Sequence, residues 1–335
     1  MKHPSLSPSS HSLHTTPEDF EDVIDLYITQ IQPYLKTAEE SRKRAVKMLG
    51  LGLCCGLIPG SLISLYMMTH DMQAFFDSLP ILKIDVQSDT GWYVALVPLI
   101  LGAMMFGIMA HPFAQLKKAA KAMIIEPIAE KLGLNYSAEP GPQSNIEEFR
   151  DIKLVPNADE ESFEDRFAGA HKSVEFSFYE AHLEKWRGSG KSRRLVTVFK
   201  GQCLRLHFQK EFLGRTLVAR DGGFFSAFGG VRGLSRAKLE DPVFETAFDV
   251  YTSDQVEARY LLTPDFMQRL VDLEAAFHGK KLRCAFVRGE LLITMEGDNL
   301  FEPGHMFKPM DDPQRVTDIL RDFLRLNRLI ETLTQ

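Results

Sequence analysis

The chain has 335 residues with 39 basic and 45 acidic side chains, a formal charge of −6, and a composition 44% hydrophobic and 25% charged. That balance fits a globular protein and excludes a strongly basic nucleic-acid grip or an acidic solvating tail as the global design. The four cysteines, Cys54, Cys55, Cys203 and Cys284, show no C-x-x-C spacing. This argues against a zinc ribbon or a disulfide scaffold, fits a reducing compartment, and leaves all four as small buried apolar residues.

Residues 1–16, rich in Ser, Pro and His, read as a disordered tail with no cleavable signal peptide. Thr16-Pro17-Glu18-Asp19 is a helix start, with Thr as N-cap, Pro at the first position and acids in the first turn. Phe20, Val23, Ile24, Tyr27 and Ile31 then share one face of an amphipathic helix within 17–47, with a break expected near Pro33.

Two stretches follow without a single charge, Met48–Met68 and Gly91–Phe113. Each suits the roughly 20 residues a helix needs to cross a bilayer, and soluble helices rarely run that far without a polar stripe. Trp92 and Tyr93 open the second where an amphipathic ring favours the headgroup level. Gly50, Gly52, Gly56 and Gly60 in the first, with Gly102 and Gly107 in the second, predict a close antiparallel hairpin and a surface for homo-oligomers. Pro59 and Pro98 each free a carbonyl. Arg42, Lys43, Arg44 and Lys47 precede the first stretch and Lys117, Lys118 and Lys121 follow the second, whereas the connecting loop at 69–90 is acidic. By the positive-inside rule both termini are cytoplasmic in a bacterial inner membrane.

A juxtamembrane helix is predicted over 114–136, bent at Pro127 and closed by Gly133, before a linker rich in Pro and Gly between Ser137 and Ile146. The remainder of 137–335 reads as an antiparallel α+β domain. Val174, Phe176 and Phe178 alternate with Ser173, Glu175, Ser177 and Tyr179 in a half-buried strand. Further strands are expected in 195–208, 211–223 and, through FETAFDVY, 244–251, with a hairpin at Arg288-Gly289. The Gly/Phe-rich 222–233 stays unassigned. Pro313 to Thr334 places Val316, Ile319, Leu320, Phe323, Leu324, Leu326 and Ile330 on a helix.

Candidate chemistry is sparse. GSGKS at 188–192 ends like a phosphate-binding loop, but Lys185 stands where the first glycine belongs and the segment joins two strands, so it is a basic hairpin tip. Arg187, Lys191, Arg193 and Arg194 there suit lipid phosphate or an acidic partner. His171, His182 and His207 with Glu175 and Glu180 lack metal-ligand spacing. No catalytic, cofactor or metal residue is assigned, and the charge-free spans hold no ion relay.

DQVEARYLLTPDFMQRL, Asp254–Leu270, reads as two short helices. Asp254 or Ser253 caps the first, with Thr252 and Gln255 in capping-box spacing, and Thr263-Pro264-Asp265 starts the second, whose stripe is Phe266, Leu270, Leu273 and Phe277. Arg259 reads as a structural ion-pair partner. Phe248–Pro264, Ala285–Met295 and Asp298–Pro303, with the upstream strand Phe167–Glu184, resemble the bacterial domain-of-unknown-function family numbered thirty-one thirty-seven. The resemblance implies an inner-membrane protein with a cytoplasmic domain and imports no catalytic residue. The favoured function is a membrane-anchored interaction or sensory module contacting the bilayer and a cytoplasmic protein partner. The alternatives are a lipid- or ligand-handling enzyme using His182 and Glu180, and a small pore. Neither a cofactor nor nucleic acid is expected.

Overall fold

The computed structural model describes residues 23, 25–69, 91–141, 146–171, 173–208, 212–220, 233–239, 241–276 and 280–334. The tail, the Thr16 cap, the loop at 70–90 and most of the Gly/Phe-rich connection lie outside them. The chain forms two units: one contains Tyr27–Ile124 and Pro303–Val316, the other Ile125–Glu302 and Thr317–Gln335.

In the first unit a π-turn, Tyr27–Ile31, leads into α1 (Gln32–Gly52), and a second, Leu53–Leu57, leads into α2 (Ile58–Thr69). The break expected at Pro33 is absent, because each π-turn ends two residues before a proline, Pro33 or Pro59. The wider turn, seen in the Ile58 N–H reaching back to the Leu53 carbonyl, makes room for the ring without ending the helix. The return helix α3 (Gly91–Lys131) likewise runs unbroken through Pro98, Pro112 and Pro127. It closes at Gly133, with φ of 70°, where Leu134 N–H bonds the Ala129 carbonyl at 2.8 Å.

The two apolar stretches pack as the glycine spacing predicts, and four glycines do the work. A Cβ on Gly60 would stand 2.5 Å from the Pro98 carbonyl, and one on Gly102 2.5 Å from that of Gly56. Gly52 faces Met109, and Ser64 and Ala95 are buried along the same seam. Gly50 and Gly107 meet nothing within 4 Å. Cys54 and Cys55 correct the sequence reading: they are exposed on the outer surface of the helix, whereas Cys203 and Cys284 are buried.

The Pro303–Val316 segment packs on α1. Arg42 and Glu39 form a buried pair at 2.7 Å. Arg42 also donates to the Met306 carbonyl at 3.1 Å, and Glu39 accepts from Met310 N–H at 2.8 Å.

In the second unit nine strands among the described residues form one antiparallel sheet. They are β1 (Asn135–Ser137), β2 (Glu160–His171), β3 (Val174–Arg187), β4 (Arg194–His207), β5 (Arg215–Arg220), β6 (Ser235–Arg236), β7 (Phe248–Thr252), β8 (Lys280–Val287) and β9 (Glu290–Glu296), in the order β1-β2-β3-β4-β9-β8-β5-β7-β6. The β8–β9 hairpin turns through Arg288 and Gly289, both at positive φ as a two-residue turn requires.

The half-buried reading of β3 holds as far as Ser177, with Phe176 buried and Ser173 and Glu175 exposed, and is corrected from Phe178 to Ala181, where both faces are buried. Tyr179, Ala181 and Leu183 point into a core with Phe149 of α4 (Ile146–Asp151), Leu154, Phe199 and Cys203. On the other face Phe167, Phe178, Phe301 and Phe323 of α8 (Pro313–Thr334) interlock at centroid separations of 4.5 to 6.2 Å. Within α8, Ile319, Phe323, Leu326 and Ile330 are buried as predicted. FETA is also corrected. Pro242–Ala247 is a helix, α5, because the Asp241 carboxylate caps it by accepting from Val243 and Phe244 N–H, and the strand begins at Phe248.

Candidate functional site

Lys200, the Glu296–Leu300 segment after β9 and α8 residues Asp318, Arg321, Asp322 and Arg325 line an open groove of ≈830 Å³. The segment after β9 is fixed from below: Gln202 donates to the Asp298 carbonyl at 2.7 Å, and Asp322 accepts from Phe301 N–H at 3.0 Å. Burial pushes the Asp322 carboxyl up, against the opposing pull of that amide and of Arg325. Charges along the wall pair locally, Arg321 with Asp318 at 2.9 Å, Arg325 with Asp322 at 3.1 Å and Lys281 with Glu296 at 3.1 Å. The groove therefore presents alternating charge of both signs, suited to a zwitterionic or mixed polar surface.

Behind this wall lies a carboxylate cluster that the sequence did not suggest. Oxygens of Glu164, Asp165 and Glu180 lie within 4.8 Å of one another, with Asp165 and Glu180 buried. A β-bulge between Glu164 and Phe167 puts Asp165 at φ of 52°, and this left-handed kink re-aims its side chain inward. Tyr136 donates to Asp165 at 2.7 Å, and Glu180 accepts from Leu300 N–H at 2.5 Å. Burial first, then Asp165, hold the Tyr136 phenol far above its ordinary range. Three carboxylates form a donor set for a hard cation, and each has further hydrogen-bonding or electrostatic partners. The bulge is a two-to-one mismatch in the β2–β3 hairpin register, and the alternation of side chains along Glu164-Asp165 carries no mark of it.

The histidines are not gathered. His182 touches Thr197 at 2.9 Å and lies 3.9 Å from Glu184. His207, opposite Glu175 in the β3–β4 register, lies 3.5 Å from Glu290. His171 ends β2. Seven strand positions, roughly 23 Å at the usual rise, separate Glu175 from His182. Thr197 and Leu300 both line the groove, so His182 and Glu180 each support one of its walls.

GSGKS forms an exposed turn, Gly190–Ser192, between β3 and β4, with Arg193 4.6 Å above the Trp186 ring. The Asp254–Leu270 stretch is α6 (Gln255–Leu261) and α7 (Pro264–Ala276). Asp254 is the cap of α6, and Thr263 accepts from Phe266 N–H at 3.2 Å at the start of α7. The capping box does not form: Thr252 is buried against Thr216 at 2.9 Å, and Gln255 reaches Ser235. Glu257 accepts from the N–H groups of Leu213 and Gly214 at 2.8 and 2.7 Å, so the motif holds the approach to β5. Arg259 is exposed and, among the described residues, forms no ion pair, which corrects the role expected for it.

Residues 197–335 match the family described as protein of unknown function, DUF3137. The DUF3137 match covers the three downstream segments that carried the resemblance in sequence, and Phe167–Glu184 lies upstream of it. The crystal structure of the mycobacterial trehalose monomycolate transport factor A, TtfA, is similar at a TM-score of 0.32 and 10% identity, over 64% of this chain and 96% of that one. Comparison with curated proteins gives no match.

Proposed function

We propose that the protein is a membrane-anchored interaction or sensory module, held by an α1–α2/α3 hairpin in a bacterial inner membrane with both termini in the cytoplasm. The carrying observation is the surface of that hairpin. The most apolar windows of its two helices are only 22% and 11% buried within the protein. Leu62, Ile100, Met104 and Ile108 are each about two-thirds exposed, at 61%, 60%, 61% and 66%. Helices inside a soluble core hide such residues, whereas lipid covers them without cost from water. The charge-free lengths match a hydrocarbon core about 30 Å thick. Basic flanks at Arg42–Lys47 and Lys117–Lys121 support the cytoplasmic orientation of both termini.

The partner is a cytoplasmic protein, and Gly50 and Gly107, which meet no neighbour, leave room for a second copy beside the hairpin. Cross-linking in native membranes followed by affinity capture tests the module: a specific protein partner is expected, and a clean monomer with none refutes it. A second reading, a lipid- or ligand-handling enzyme, draws on the groove that His182 and Glu180 support. Replacing both and finding unchanged phenotype and unchanged small-ligand binding eliminates it.

A further inference from the structure

We propose that the loop Pro303–Asp312 rests on the headgroup layer of the bilayer, with Phe307 as the side chain that enters it. The proposal rests on the membrane reading of the two apolar helices and adds a third, non-helical point of lipid contact.

Phe307 is 66% exposed, between Met306 and Met310, which are 4% and 1% exposed. A large aromatic ring facing outward is unremarkable on a loose loop, but this loop is tightly held. The Arg315 guanidinium donates to four carbonyls, those of Pro303, His305, Lys308 and Pro309, the last three at 2.6, 2.8 and 2.7 Å. Glu39 and Arg42 fasten the same loop to α1 through Met310 N–H and the Met306 carbonyl. The conformation thus presents Phe307 outward and gives it no alternative place to fold back.

Its height identifies what covers it. The Phe307 ring lies 5.5 Å from that of Phe113, the last residue of the charge-free stretch of α3. Met306 is bonded to Arg42, six residues before the charge-free stretch of α1 begins at Met48. Six residues are about 9 Å of helix, just beyond a polar layer about 5–7 Å thick, so Arg42 holds the loop from its water side and the Phe113 contact marks its lipid side. Phe307 therefore continues the exposed apolar surface of the hairpin to the level where aromatic rings favour the interface. Lys308 beside it, with Arg44 and Lys47 exposed on α1, supplies positive charge for anionic headgroups.

The full-length chain, with Trp92 and Trp186 replaced by Phe, is reconstituted into phosphatidylcholine–phosphatidylglycerol vesicles carrying spin-labelled lipids at shallow or deep positions. Phe307→Trp reports the loop, and Leu101→Trp, on the exposed face of α3, reports the span. The expected result is loss of most Phe307→Trp emission to the shallow label, little loss to aqueous iodide, and quenching of Leu101→Trp by the deep label. Leu101→Trp quenched by the deep label while Phe307→Trp responds to iodide alone overturns the loop proposal and leaves the span reading intact. Phe307→Trp shielded from both iodide and lipid label also overturns it, in favour of a protein surface over the loop. Leu101→Trp untouched by either lipid label overturns the membrane reading and this proposal with it.

Discussion

Glu39 shows how one side chain ties a distant loop to a helix. Its hydrogen bond from Arg42 first, and the Met310 amide, hold its carboxyl down to about 2, against burial acting the other way. Because the folded pKa is depressed below the ordinary 4.5, the stabilisation is present above that value and disappears as pH falls toward about 2. Protection of the Met310 amide, taken relative to its intrinsic exchange rate at each pH, should therefore fall across that window, and Glu39→Gln should show the lower protection already at neutral pH with little further change in acid. Gly201 is a second single-residue constraint. It sits inside β4, where a Cβ would lie 1.9 Å from the Met295 carbonyl of β9. Gly201→Ala must push the two strands apart, and a loss of about 1–3 kcal/mol, seen as a lowered unfolding midpoint, is expected.

At the scale of elements, the hairpin, α7 and α8 were legible because each writes its partner into a repeat. The i, i+4 glycines Gly52, Gly56 and Gly60 mark a seam, and Ile319, Phe323, Leu326 and Ile330 mark a face. Gly102→Leu, set against the Gly56 carbonyl at 2.5 Å, should split that seam. Cysteines placed at Ser64 and Ala95 should then cross-link far less than in the parent. Four features escaped sequence reading, each because a contact and not a pattern decides it. Tyr179 looked outward because the helix that covers it, α4, lies about thirty residues upstream and carries no signal of where it docks. The carboxylate cluster needs a bulge set by strand pairing, and the helical FETA depends on Asp241 outranking the β-tendency of its aromatic neighbours. Arg315 is the clearest case. One of four arginines in an amphipathic helix gives no hint of four carbonyls within reach, and Arg315→Lys, which keeps the charge but not the planar fork, should release the loop to proteolysis near Phe307.

For the molecule as a whole, two kinds of burial divide the chain. The sheet unit buries Phe149, Phe167, Phe178, Phe199, Phe244, Phe248 and Phe301 by itself, whereas the hairpin leaves many of its apolar side chains exposed. The protein should accordingly resist alkaline carbonate extraction from membranes and stay monodisperse in detergent alone; release into the soluble fraction would contradict the anchoring. Alkaline phosphatase fused after Gln87 should be active, and after Gln335 inactive, if the basic flanks face the cytoplasm.

The ordering of the sheet also bears on how copies of the chain avoid associating through their strands. Its long strands, β3 and β4 at 14 residues each, lie inside, and among the described residues the outermost strands are β1 and β6, with three and two residues. Outermost strands are where unpaired N–H and C=O groups recruit neighbouring chains into β-aggregates. β1 covers only Arg166–Ala168 of β2, and the uncovered start of β2 carries Glu160, Glu161 and Glu164, whose like charges oppose pairing with the same edge of a second copy.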